Sequence, residues 1–195
     1  MNINEKMRLN ESYVCYDYDI NPEYQIKAKN LIYDYNNTRP DEKEKRKEIL
    51  KNLIGTYNEN VIIEPSFRCD YGFNIHFKGF ALINYNCVML DTSPIYIGNN
   101  VFIAPGCVLS CAGHTIDKNE RNSLINTSSP INIEDNVWLG ANVTVCPGIT
   151  IGEGSIIGAG SVVNKDIPSG VVAVGNPCKV LRKITDKDKL QEGLI

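Results

Sequence analysis

Residues 131–168 read INIEDNVWLGANVTVCPGITIGEGSIIGAGSVVNKDIP, and aliphatic residues return along them every sixth place. Ile133, Leu139, Val145, Ile151, Ile157 and Val163 fill that place without a miss. The next residue is mostly small (Gly140, Cys146, Gly152, Gly158), and the one four places on is small or β-branched (Val137, Val143, Ile149, Ser155, Ser161, Ile167). A helix repeats near 3.6 residues and a strand at 2, so neither gives a clean period of six. A strict hexad describes a solenoid. Each repeat supplies one short strand and a turn, with its aliphatic residue pointing into a narrow prism.

Upstream the same period runs with interruptions. Phe77, Ile83 and Met89 are six apart, as are Ile97, Ile103 and Leu109. The interval of eight between Met89 and Ile97 predicts a bulge at a corner over residues 91–94. Leu109 and Ile133 are 24 residues apart, a multiple of six, yet SCAGHTIDKNERNSLINTSSP puts polar residues where aliphatics belong. This predicts a loop over 110–132 thrown out of the solenoid wall, with the coils resuming in phase.

Residues 1–60 follow a helical pattern instead. Asn21, Pro22 and Glu23 read as N-cap and first turn of a helix. Tyr24, Ala28, Leu31, Ile32 and Tyr35 form its apolar stripe, and Asn36 and Asn37 stop it. Pro40 is expected to open a second helix, charged from Asp41 to Glu48, with a stripe of Ile49, Leu50, Leu53 and Ile54. Two short helices cannot make their own core, so they are expected to cover the solenoid's open first coil. The chain thus divides into a helical cap (1–60), a parallel β-helix (61–180) and a C-terminal tail (181–195); SGVVAVGNPCKVLRKI after Pro168 is expected to close the solenoid, and the last dozen residues, which are polar, to be helical or frayed.

Composition narrows the function. With 20 Lys+Arg against 23 Asp+Glu, nothing favours nucleic acid. No apolar run approaches the ~18–20 residues of a membrane span, so no membrane is expected. MNINEKMRLNESY lacks the apolar stretch of a signal peptide, and the seven cysteines form no CxxC pair. Both points fit a cytoplasmic protein with reduced, packing thiols. The chain has only two histidines, His76 and His114, too few for the ligand set of a catalytic zinc; no metal is expected. No P-loop, dinucleotide fingerprint or serine-hydrolase motif is present, and GAGS at 158–161 is accounted for by tight corners. His114 remains. A histidine on a loop ejected from a rigid repeat suits a general base at neutral pH.

FRCDYGFNIHFKG, INYNCVMLD, IGNNVFIAPGCVLSCAGH, NVWLGANVTVCPGITIG, SIIGAGSVVNKDIP and GNPCKV, taken in order, resemble the maltose/galactoside O-acetyltransferases of the hexapeptide-repeat superfamily. The resemblance spans most of the chain, cap included. It implies a mainly β protein, a left-handed parallel β-helix of three hexads per coil, assembled as a homotrimer with active sites between subunits. It implies direct acetyl transfer from acetyl-CoA to a sugar hydroxyl, without a covalent enzyme intermediate. His114 matches the catalytic base, and Asn84 an asparagine near acceptor and reacting carbonyl. Asp17, with Asp19 as an alternative, Asp70, Asp91 and Trp138 fall at acceptor positions, where Thr92 beside Asp91 departs from the paired acids of some relatives. The Ala141 backbone N–H would face the thioester oxygen. Ala159, Asn164 and Lys165 would line the CoA arm, and Lys179 and Arg182 would receive its phosphates. Two other readings stay open: the same chemistry on another acceptor (an antibiotic, an amino-sugar nitrogen, a lipo-oligosaccharide), or a β-helix scaffold without activity.

Overall fold

The computed structural model describes residues 2–190. Its body is a parallel β-helix of about six turns. Each turn lays short strands on three walls. The first wall runs from Val61–Ile63 through Ala81–Ile83, Val101–Ile103, Trp138–Leu139 and Ile156–Ile157 to Val171–Val174. The second runs from Arg68–Cys69 to Val162–Val163, and the third from Ile75–Phe77 to Thr150–Ile151.

The hexad maps directly onto this prism. Ile63, Ile83, Ile103, Leu139, Ile157 and Ala173 pair in register down the first wall. Cys69, Met89, Leu109, Val145 and Val163 do so down the second. Phe77, Ile97, Ile133 and Ile151 do so down the third, and a bridge extends that column to Ile167. All are buried. Each such side chain is worth about 1.5–3 kcal/mol when removed from water, so the stacked columns carry the fold. After the first coil, corners between the first and second walls use a left-handed residue, supplied by Asn86, Gly106, Asn142 and Gly160.

The cap forms as its stripes predict. In the helix Pro22–Asn36, the Asn21 side chain accepts from the Glu23 N–H, and Ala28, Ile32 and Tyr35 are buried. Asn36 closes it onto the first coil, accepting from the Phe67 N–H and donating to the Phe67 carbonyl, both at 2.9 Å. The second helix is Lys43–Leu53, with Ile49, Leu50 and Leu53 buried. It starts three residues later than expected from Pro40. The Glu42 carboxylate accepts the Arg39 N–H at 2.7 Å and the Lys43 N–H donates to the Asp41 carbonyl, so Pro40 and Asp41 are spent on a turn.

Three elements have no counterpart in the sequence reading. A one-turn helix, Ile3–Lys6, precedes a strand, Tyr13–Tyr16. The ejected loop is itself folded: Ala112–His114 and Ile125–Ser128 pair as a hairpin around a short helix, Lys118–Asn122. Tyr13–Tyr16 adds to the hairpin's far edge as a third antiparallel strand. Lys179–Lys183, in the stretch after Pro168, is an antiparallel strand on Val171–Val174, with a bulge between Val172 and Ala173. A turn of 3₁₀ helix, Asp186–Asp188, follows, and residues 191–195 of the tail lie outside the described residues. Among the described residues no helix is long and apolar enough to cross a membrane, and the seven cysteines are free thiols.

Candidate active site

His114 ends the first strand of the hairpin, opposite Asn126. Its side chain is exposed and opens on a cavity of about 280 Å³ shared with Asp17, Arg121, Leu124 and Asn126. Asp17 reaches it through the N-terminal strand. Cys15 pairs with Asn126, the Asp17 N–H donates to the Leu124 carbonyl at 2.9 Å, and Asn126 Nδ2 donates to Asp17 Oδ1 at 3.2 Å. Asp19 is used differently: its carboxylate accepts the Tyr16 N–H and closes a local turn. Of the two aspartates, Asp17 is the one beside His114.

A second cavity of about 140 Å³ continues from His114 and Asp17 toward Gln25, Tyr71, Thr92 and Ser128. Its floor is knit by hydroxyls. Tyr13 donates to the Thr92 carbonyl at 2.6 Å, and Ser128 Oγ lies 2.6 Å from Thr92 Oγ1 and 2.7 Å from Ser93 Oγ. Burial pushes the Tyr71 phenol up to about 12 and raises Tyr13 too, so both keep their protons. Tyr13, Tyr71 and Asn126 escaped the sequence reading as site residues, because only tertiary pairing gathers them.

Asp91 needs correction as an acceptor-binding residue. It is fully buried, and its carboxylate accepts the backbone N–H groups of Asp70 (3.0 Å), Tyr71 (2.8 Å) and Asn74 (3.2 Å). It is the internal tie of the predicted corner bulge. Burial raises it to about 7, against the pull of those amides. Asp70, in the turn Asp91 ties, is partly buried, and that burial raises its carboxyl above the ordinary range.

The remaining predicted residues lie elsewhere on the prism. Asn84 follows Ile83 at the corner between the first and second walls, its Oδ1 accepting the Tyr85 N–H at 2.8 Å. Ala141 and Ala159 occupy the same corner in later coils, joined by the Gly160 N–H donating to the Ala141 carbonyl at 2.8 Å. Among the described residues, none accepts from the Ala141 N–H. Trp138 projects from the first wall, half exposed, between Phe102 and Ile156. The cavities around His114 include none of Asn84, Trp138 and Ala141. Asn164 and Lys165 sit exposed after the last strand of the second wall, and Lys179 on the final strand. Arg182 is not free: it is bidentate with Asp188, at 2.8 and 2.7 Å. A phosphate there would have to displace that carboxylate.

Residues 130–165 match the family described as bacterial transferase hexapeptide (six repeats), and residues 6–58 match the maltose acetyltransferase hexapeptide capping motif. Galactoside O-acetyltransferase of Escherichia coli (strain K12) is 44% identical over 168 residues, covering 86% of this chain and 83% of its own. The chain belongs to the maltose/galactoside O-acetyltransferase family. A maltose O-acetyltransferase from Clostridium difficile 630 is 46% identical and superposes with a TM-score of 0.87 over 95% of this chain and 99% of its own. A galactoside acetyltransferase solved in complex with coenzyme A superposes with a TM-score of 0.90, at 41% identity, over 98% of this chain and 96% of its own. The chain is therefore an acetyltransferase of the maltose/galactoside type, its fold the hexapeptide-repeat β-helix with a helical cap.

Proposed function

We propose that this acetyltransferase moves the acetyl group of acetyl-CoA directly onto a hydroxyl of a sugar, with His114 as general base. His114 and Asp17 line one cavity, the first on a hairpin that contributes almost nothing to the core and the second tied to that hairpin through Asn126, and this carries the reading. An imidazole nitrogen takes the acceptor's hydroxyl proton as its oxygen bonds to the thioester carbonyl carbon. The C–S bond then breaks, and the CoA thiolate recovers the proton from the imidazolium. Asp17 and Asp70 hold other hydroxyls of the sugar.

The rest of the site comes from a second copy of the chain in a homotrimer. His114 and Asp70 belong to the corner between the second and third walls, whereas Asn84, Ala141 and Ala159 belong to the corner between the first and second. No single prism joins two of its own corners, but two neighbouring prisms can. The unclaimed Ala141 amide fits a preorganised donor to the thioester oxygen, of a kind often worth ~3–4 kcal/mol. The CoA arm runs past Ala159, Asn164 and Lys165, with Lys179 at its phosphates.

Mass spectrometry of acetyl transfer from acetyl-CoA to a panel of sugars and glycosides tests this, since seven cysteines would compete with a thiol dye. The expected result is one acetyl gained by a sugar with wild type, lost ~100-fold in His114→Ala. Binding of acetyl-CoA without transfer to any sugar overturns the acceptor class, and no binding at all overturns the transferase reading.

A further inference from the structure

Away from His114, an open groove of about 780 Å³ runs along the outside of the third wall, formed by residues that the transfer chemistry leaves unused. The outward column there runs in register through Thr56, His76, Tyr96, Asn132 and Thr150. Every member can hydrogen-bond. By contrast the first wall presents Ile62, Leu82, Phe102, Trp138, Ile156 and Val172 at the equivalent places.

Within the column, His76 Nδ1 is hydrogen-bonded to Thr56 Oγ1 at 2.9 Å, and its ring stacks on Tyr96 with centroids 5.1 Å apart. Burial, helped by Arg8, holds the imidazole below its ordinary value, so the rung is uncharged at neutral pH. One side of the groove is rimmed by Glu134, Asp135 and Glu153, against a single cation, Lys78, which is bound to Asp135 at 2.7 Å. That rim repels phosphates and carboxylates.

We infer that the third wall is a docking surface for an uncharged oligosaccharide, one that lies along the Tyr96–Asn132–Thr150 column. Rungs about 4.8 Å apart offer a hydroxyl or amide at each step, a spacing close to that of successive pyranose rings. The aromatic pair gives an apolar platform for a pyranose face, and the acidic rim can accept from sugar hydroxyls. The wall adjoins the reaction cavity: Asp70 and Tyr71 lie in the turn that leads into its first strand, and the hairpin re-enters it at Ile131–Ile133. A glycan held along this column runs parallel to the edge that carries His114. The choice of a glycan rests on the sugar-acceptor reading; the place rests on the groove.

The test uses the full-length protein with maltohexaose, a uronic-acid hexamer of similar length, and glucose. Binding is followed by isothermal titration, and acetylation by mass spectrometry. Tyr96→Thr keeps a strand-compatible residue, and Asn132→Arg fills the groove from an outward position. Expected are binding of maltohexaose but not of the acidic hexamer, and a KM at least tenfold lower for maltohexaose than for glucose. Both substitutions should remove that advantage while thermal melting shows them folded. If glucose is acetylated but maltohexaose gains no advantage, or keeps it in both variants, the docking surface is overturned and the transfer reading stands. If maltohexaose binds and both variants abolish binding, yet no sugar is acetylated, the surface stands and the transfer reading falls.

Discussion

The coils and the hairpin they eject are built on opposite terms. In the coils almost every inward side chain is fixed by the hexad, stacked on its equivalents above and below, and closed to water. In the hairpin, Ala112–His114 and Ile125–Ser128 bury only Ser128, and Lys118–Asn122 buries nothing. It is held by backbone pairing to Tyr13–Tyr16 and by single polar contacts such as Asn126 to Asp17. The difference teaches where stability and chemistry are stored: the coils hold the first, and the hairpin, free of packing demands, presents the second.

Four substitutions sharpen or break that division. The largest effect on folding belongs to the coils. Leu109→Ala should cost about 2–5 kcal/mol in chemical denaturation, because a fully buried rung is lost from a stack that cannot collapse around the gap. A small loss there would mean that the columns do not carry the fold.

Next comes the tie beneath the site. Asp91 is raised in the folded chain to about 7, so the folded state holds its proton more tightly than the unfolded one. Its burial therefore subtracts stability as pH climbs from about 4 to 7, by a few kcal/mol at most, and the penalty is complete above 7. Asp91→Asn should lose this slope, so that its melting temperature improves relative to wild type between pH 5 and pH 8. A constant difference would show that Asp91 does not titrate in that window.

His114→Ala probes the other region. Turnover should fall ~100-fold while melting stays within a degree or two, since the ring is exposed. A melting shift as large as that of Leu109→Ala would erase the distinction between the two regions. The smallest effect is expected from Asn126→Ala. Losing one hydrogen bond worth about 1 kcal/mol should raise KM for the acceptor roughly fivefold with little change in kcat. An unchanged KM would mean that Asp17 needs no such anchor.

Legibility in the sequence followed the same divide. Periodic burial leaves a written trace, so Ile133 through Val163 announced the prism, and Tyr24 through Tyr35 announced the cap. The hairpin left only a gap in the period. Its strands carry no alternation of their own, and the strand that completes it, Tyr13–Tyr16, lies more than a hundred residues away in the chain. His114 was singled out by its place in the ejected loop and Asp17 through resemblance, and no local pattern would have joined them. Asp91 misled for a related reason: an aspartate at a corner looks the same in sequence whether it faces a ligand or turns inward to collect three amides. The ion pair of Arg182 with Asp188 left no trace either, because Asp188 sits beyond a bend that a linear reading does not foresee.

The antiparallel strand Lys179–Lys183 has one more consequence. A stack of parallel rungs is open-ended by nature, since its last coil offers the next the same ladder it received. Repetition of this kind underlies fibres that grow without limit. Here the chain reverses at the bottom and lays down a strand of opposite direction, studded with Lys179, Arg182 and Lys183, while two helices close the top. The length of the solenoid is thus set by its two ends, and the periodic part, left alone, would have no reason to stop.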